Sequence, residues 1–117
     1  MKTKFIINPI AGTGKQLDIT NKIKKLLEKD RFNYDVDITE KPNHATELSK
    51  KAIKENYELV VAIGGDGTVS ECAKALIGSE TALSIIPCGS GNGFAYHFNI
   101  NRKIDDAILQ LNNNQIK

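Results

Sequence analysis

Cysteine is scarce in this chain: two residues of 117, Cys72 and Cys88. Neither stands at metal-ligand spacing from another Cys or from a His, which argues against a cysteine-held metal and reads as reduced thiols in a cytoplasmic protein. Long apolar runs are missing as well. No stretch approaches the roughly 20 residues of a membrane span, and the first residues lack the pattern of a secretory signal. Charge of one sign is not in surplus either, and a formal net charge of +2 is too small to imply nucleic acid. Lys22, Lys24, Lys25 and Lys29 do cluster, but Glu28 and Asp30 interrupt them. That reads as a solvated helix face, with a weak attraction for anionic phosphates or lipid headgroups as the alternative. Repeats are absent, and the one biased segment is Asn112-Asn113-Asn114. What remains is a chain of ordinary composition, long enough for one domain that buries about two thirds of its unfolded surface.

The most informative stretch runs from Leu59 through Ile63 into Gly64-Gly65-Asp66-Gly67-Thr68-Val69-Ser70-Glu71. A β-branched, apolar run ends in glycines, an acid and a threonine, and a helical pattern then begins. Such a strand–turn–helix unit presents backbone N–H groups at a helix N-terminus, where phosphate binds readily. Upstream, Lys4 to Asn8 reads as a buried strand built on Phe5, Ile6 and Ile7. It enters Asn8-Pro9-Ile10-Ala11-Gly12-Thr13-Gly14-Lys15. Ile19, Ile23, Leu26 and Leu27 keep helical spacing to about Asp30. Tyr34 to Thr39 alternates, with Tyr34, Val36 and Ile38 facing one way. Asn43 is placed to cap a helix carrying Ala45, Leu48, Ala52 and Ile53, and His44 in its first turn reads as a surface or capping group.

Behind the central turn, Val69, Cys72, Ala73, Leu76 and Ile77 form an apolar helical stripe that Gly78 stops. Leu83 to Ile86 reads as a fourth buried strand, ending in Pro87-Cys88-Gly89-Ser90-Gly91-Asn92-Gly93-Phe94-Ala95. A last helix is expected over Ile104 to Leu111, and Gln115-Ile116-Lys117 looks like the start of another strand. This alternation predicts an α/β, three-layer, Rossmann-like fold with a mostly parallel sheet. Ligands bind outside the carboxyl ends of strands in such sheets, so the glycine-rich turns after the first, third and fourth strands should converge on one site.

Several motif readings can be separated. Gly14-Lys15 suggests a P-loop, but Pro9 occupies that motif's first glycine position and Gln16 replaces its Ser/Thr, so the Walker reading fails. Gly65-Asp66-Gly67-Thr68-Val69-Ser70 nearly matches a dinucleotide fingerprint. That reading needs an acid at the end of the next strand, where Pro87-Cys88 stands instead, which argues against NAD as a redox cofactor. Thr68 and Glu71 have the spacing of a capping box, worth about 1 kcal/mol. Asp66 is harder to explain structurally, because a first-turn acid gains only about 0.3–1 kcal/mol from the helix dipole and needs no glycines around it. A carboxylate there suits phosphate chemistry. Ser90 and Asn92, among three glycines, read as ligand contacts ahead of plain turn residues.

Taken together, Asn8-Pro9 with Gly12 and Gly14, Gly64-Gly65-Asp66-Gly67-Thr68 with Glu71, and Pro87-x-Gly89-Ser90-Gly91-Asn92 with Phe94-Ala95 resemble the diacylglycerol kinase catalytic domain family. That group includes bacterial lipid kinases, sphingosine kinases and ceramide kinases, and its fold is like that of the N-terminal domain of NAD kinases. The resemblance covers nearly the whole chain. It implies ATP and Mg²⁺ as cofactors and transfer of the γ-phosphoryl group to a lipid hydroxyl, of diacylglycerol or a sphingoid-like acceptor.

By resemblance, Thr39, the run Gly64, Gly65, Asp66, Gly67, Thr68, Val69 and Ser70, and Gly89, Ser90 and Asn92 match nucleotide-binding positions. Asn8 and Gly12 would line the phosphate side. Asp66 would be the catalytic carboxylate, organising Mg²⁺ or its waters, or taking the acceptor proton. Gly93 and Tyr96 depart from many glycerolipid kinases, which carry an acid and a cation there; Gly93 is closer to the sphingosine-kinase pattern. Family members continue into a β-rich lobe that carries the lipid pocket, so residues 1–117 read as the N-terminal nucleotide-binding lobe, inactive alone. Such a protein would be cytoplasmic and peripheral to the membrane when acting on lipid. The rival readings are an NAD-kinase-like kinase of a soluble acceptor and a non-catalytic nucleotide-binding module.

Overall fold

A computed structural model describes residues 1–8, 16–28, 30–87, 108, 109 and 111. Strands and helices alternate: β1 (Lys2–Ile7), α1 (Gln16–Leu26), β2 (Asn33–Ile38), α2 (His44–Lys54), β3 (Leu59–Gly64), α3 (Asp66–Leu76) and β4 (Ala82–Pro87). The four strands form one sheet in the order β2-β1-β3-β4, and every pairing is parallel. The expected three-layer α/β fold is therefore found. Element ends differ by a residue or two from the expectation, except that α1 stops at Leu26, four residues short of Asp30.

Central strands buried on both faces must be apolar at every position, and β3 is, from Leu59 to Gly64. Its alternating side chains feed two cores. Leu59, Val61 and Ile63 join Phe5, Ile7 and Ile86 beneath Ile19, Ile23 and Leu27 of the α1 segment. Val60 and Ala62 join Ile6 beneath Ala45 and Ala52 of α2 and Cys72 and Leu76 of α3. Ile108 and Leu111, helical in backbone, are buried with the first core while Leu109 is exposed, as the expected last helix requires; the rest of that helix and the stretch 112–117 lie outside the described residues. Edge strand β2 is only half covered. Tyr34 and Val36 pack on the first core, but Ile38, expected to face inward with them, is 40% exposed because the strand end has no neighbour on that side among the described residues.

The second face holds a cation that alternation alone did not anticipate. Lys4 is 7% exposed, its Nζ lies 2.9 Å from Asp37 Oδ2 and 4.8 Å from the centre of the Tyr57 ring. The Tyr57 hydroxyl donates to Asp35 Oδ2 at 2.6 Å. Burial pulls the Lys4 pKa down, but the hydrogen bond and charge of Asp37, with Tyr57 beside it, outweigh this and leave it raised. The bond to Asp35, helped by burial, raises Tyr57.

Helix ends explain two turns. Asn56 has φ 64°; its N–H donates to the Ile53 carbonyl and that of Tyr57 to the Ala52 carbonyl, which is a left-handed C-terminal cap. Gly78, at φ +80°, follows α3 in the role expected of it. Among the described residues no helix is long and apolar enough to cross a membrane.

Candidate functional site

The strand order creates the site. The chain moves from β1 to one neighbour and then crosses to the other side for β3, so β1 and β3 adjoin where the winding reverses. At such a switch point the connections leave in opposite directions and a crevice opens outside the strand ends. Asn8 follows β1 there, and Gly64-Gly65-Asp66 leads from β3 into α3. The Asn8 N–H donates to the Ile63 carbonyl at 3.0 Å and the Thr39 N–H to the Ile7 carbonyl at 2.9 Å. These bonds carry the sheet ladder one residue past the strands and fix both side chains at its rim.

Asn8 Nδ2 then donates to Thr68 Oγ1 at 3.0 Å, joining positions 60 residues apart. Thr68 is buried. A Cβ on Gly64 would stand 2.7 Å from Thr68 Oγ1 and 2.9 Å from its Cβ, so only glycine lets strand and helix meet this closely. Gly65 and Gly67 differ. Neither has a positive φ, and among the described residues a Cβ on either would meet no atom of another part of the chain within 4 Å.

The capping-box expectation is corrected. Helix α3 begins at Asp66, with Gly65, which has no side chain to cap with, as its N-cap in extended backbone (φ −86°, ψ −169°). The Val69 N–H makes the first helical bond, to the Gly65 carbonyl. The N–H groups of Asp66, Gly67 and Thr68 therefore lead the helix without intrahelical acceptors, whereas that of Val69 is spent. Thr68 is three residues too late to cap, because Gly64 and Gly65 turn the chain before it. Asn43 likewise occupies the N-cap position of α2 in left-handed backbone, φ 65°, but makes no capping bond with its side chain.

A cleft of about 440 Å³ lies beside these groups, lined by Asn8, Thr39, Glu40, Lys41, Pro42, Thr68 and Glu71. Asn8, Thr39 and Thr68 were expected at the site. Glu40, Lys41 and Pro42, whose residue types are those of an ordinary turn, and Glu71, read as a cap, were missed in this role. The signal available for the turn was its position directly after β2, on the same rim as Thr39. Glu71 is held in place through its carbonyl, which accepts from Thr46 Oγ1 at 3.0 Å. Asp66, Gly67 and Ser70 are exposed and Gly65 and Val69 half-buried at the start of α3. Gly12, Gly89, Ser90 and Asn92 lie outside the described residues, as do Cys88, Gly93 and Tyr96.

Leading amides without intrahelical acceptors suit the oxygens of a phosphate. Among the described residues no three His, Cys, Asp or Glu side chains gather as a metal cage. Mg²⁺ beside a phosphate needs only one carboxylate while it keeps several waters, and the exposed Asp66 at the start of α3 would fit that requirement.

Residues 2–117 match the family described as the diacylglycerol kinase catalytic domain. The chain is 40% identical over 113 residues to a Streptococcus pneumoniae serotype 4 protein whose name carries the words lipid kinase, a match covering 94% of this chain and 38% of that protein. It is 37% identical over 97 residues to sphingosine kinase 1 of Caenorhabditis elegans, covering 74% of this chain and 20% of the relative. Among solved structures, a diacylglycerol kinase of Bacillus anthracis superposes with a TM-score of 0.77 at 29% identity, covering 99% of this chain and 41% of that one. The chain thus spans about two fifths or less of the length of these relatives.

Proposed function

The chain belongs to the diacylglycerol kinase catalytic domain family, and we propose that it is the nucleotide-binding lobe of an ATP-dependent lipid kinase. The observation that carries this is the meeting of three strand ends at one crevice: Asn8 after β1, Thr39 after β2, and the Gly64–Thr68 turn after β3. The leading amides of α3 bind phosphate oxygens over Gly65 and Gly67. On the cleft walls, the Thr39 hydroxyl donates to or accepts from the polar groups of the nucleoside, and the Glu71 carboxylate accepts from them. Asn8, bonded to Thr68, holds the first strand against the phosphate turn.

Phosphoryl transfer is chiefly positioning and charge stabilisation, and these residues supply the nucleotide's half of both. Asp66 would hold Mg²⁺, which would supply charge neutralisation for the phosphates, or would take the proton of the acceptor hydroxyl. The acceptor is a lipid hydroxyl, of diacylglycerol or a sphingoid-like lipid, met from the water side at a membrane surface. The names of the relatives support a lipid over a soluble acceptor.

Calorimetry of ATP with and without Mg²⁺, on the wild type and Asp66→Asn, tests the reading. Mg²⁺ should tighten binding to the wild type, and D66N should lose that increment. Equal affinities in all four titrations would favour a non-catalytic nucleotide-binding module. The 117-residue chain mixed with ATP, Mg²⁺ and diacylglycerol vesicles should produce no phosphorylated lipid; turnover there would contradict the assignment of this lobe to nucleotide alone.

A further inference from the structure

The loop between β2 and α2 supplies Glu40, Lys41 and Pro42 to the cleft wall. A clasp holds its shape: the Glu40 N–H donates to His44 Nδ1 at 2.9 Å, and the His44 N–H donates to the Lys41 carbonyl at 3.2 Å. Asn43 closes the turn in left-handed backbone. The clasp begins one residue after Thr39, which is itself bonded to the end of β1. His44 is absent from the cleft lining, so anything it does there it does through the loop.

We infer that His44 is a positioning residue for the nucleotide cleft, setting the β2-side wall through its bond to the Glu40 amide. The inference rests on the nucleotide reading given above.

The test compares the wild type with His44→Asn, whose Oδ1 can accept near the same place, and His44→Phe, a ring with no acceptor. ATP–Mg²⁺ affinity is read by calorimetry, and hydrogen exchange at the Glu40 amide is read alongside. At about pH 8, H44F should bind roughly five-fold more weakly, the worth of one hydrogen bond, and H44N should match the wild type. The Glu40 amide should exchange faster in H44F by a similar factor. Wild-type binding and exchange in H44F would overturn this role alone. A wild type that binds no nucleotide at all would sink the reading of the cleft and this role with it.

Discussion

Glycine can be required because no side chain fits, or because a ligand needs the room, and Gly64 and Gly67 separate these cases three residues apart. In Gly64→Ala the new Cβ would stand 2.7 Å from Thr68 Oγ1. Thr68 cannot yield easily, since it is buried and accepts from Asn8 Nδ2. Overpacking of this kind costs about 1–3 kcal/mol, and a disturbed hydrogen bond at a buried oxygen adds about 1 kcal/mol. At about 4 °C per kcal/mol for a domain of this size, the melting temperature should drop by roughly 8–16 °C.

Gly67→Ala should act in the opposite direction. The site lies in the first turn of α3 with no positive φ, and among the described residues no atom of another part of the chain lies within 4 Å of the added methyl. Replacing glycine in compatible helical backbone stabilises by about 0.4–1 kcal/mol, so the melting temperature should rise by roughly 2–4 °C. The methyl would nevertheless occupy the space over the leading amides, and ATP–Mg²⁺ affinity should fall by at least about ten-fold, or 1.4 kcal/mol. Thermal denaturation followed by circular dichroism gives the first quantity and calorimetry the second. A G67A protein that is more stable and binds ATP undiminished would refute the claim that phosphate sits over this turn. A G64A protein as stable as the wild type would refute the packing argument.

Asn8→Ala removes the donor to Thr68 Oγ1 and should cost about 1–2 kcal/mol in chemical denaturation, leaving the buried acceptor unmatched. Asn56→Gly places the residue best suited to left-handed backbone at φ 64°; it should leave stability unchanged or raise it by up to about 1 kcal/mol, whereas Asn56→Ala should lower it. Both Lys4 and Tyr57 have raised pKa values in the folded chain. The folded protein therefore holds these protons more tightly than the unfolded one, and their stabilisation is complete below about pH 10 and lost as the pH rises beyond it. Denaturant midpoints measured from about pH 8 to 11 should fall at the alkaline end, and Tyr57→Phe should reduce that fall.

The fold was legible because its signals are local. Continuous apolar strands, helical stripes such as Val69-Cys72-Ala73-Leu76 and the stop at Gly78 each depend on neighbours within a few residues. The errors have the opposite character. Thr-x-x-Glu at 68–71 satisfies the local rule for a cap, but Thr68 is claimed by Asn8, 60 residues away, and the extended backbone of Gly65 starts the helix before it. Lys4 carries a charge into a strand read as buried, and only the register supplies Asp37 and Tyr57 around it. Glu40, Lys41 and Pro42 carry ordinary turn chemistry, and only the neighbouring Thr39 and Thr68 make them a cleft wall.

The same distinction explains how the site depends on the sheet. Asn8 reaches Thr68 only if β1 lies directly beside β3, in the register that pairs Ile7 with Ile63. A one-residue slip would turn Phe5 and Ile7 from one core to the other, and it would carry Asn8 about 3.3 Å along the strand, out of reach of Thr68. Thr39 is tied to the same register through the Ile7 carbonyl. The apolar side chains that fix β1 in the middle of the sheet thus also align the polar rim. Burial of Phe5, Ile6 and Ile7 is the physical cause of the site's geometry, and Gly64 allows that geometry to close onto α3.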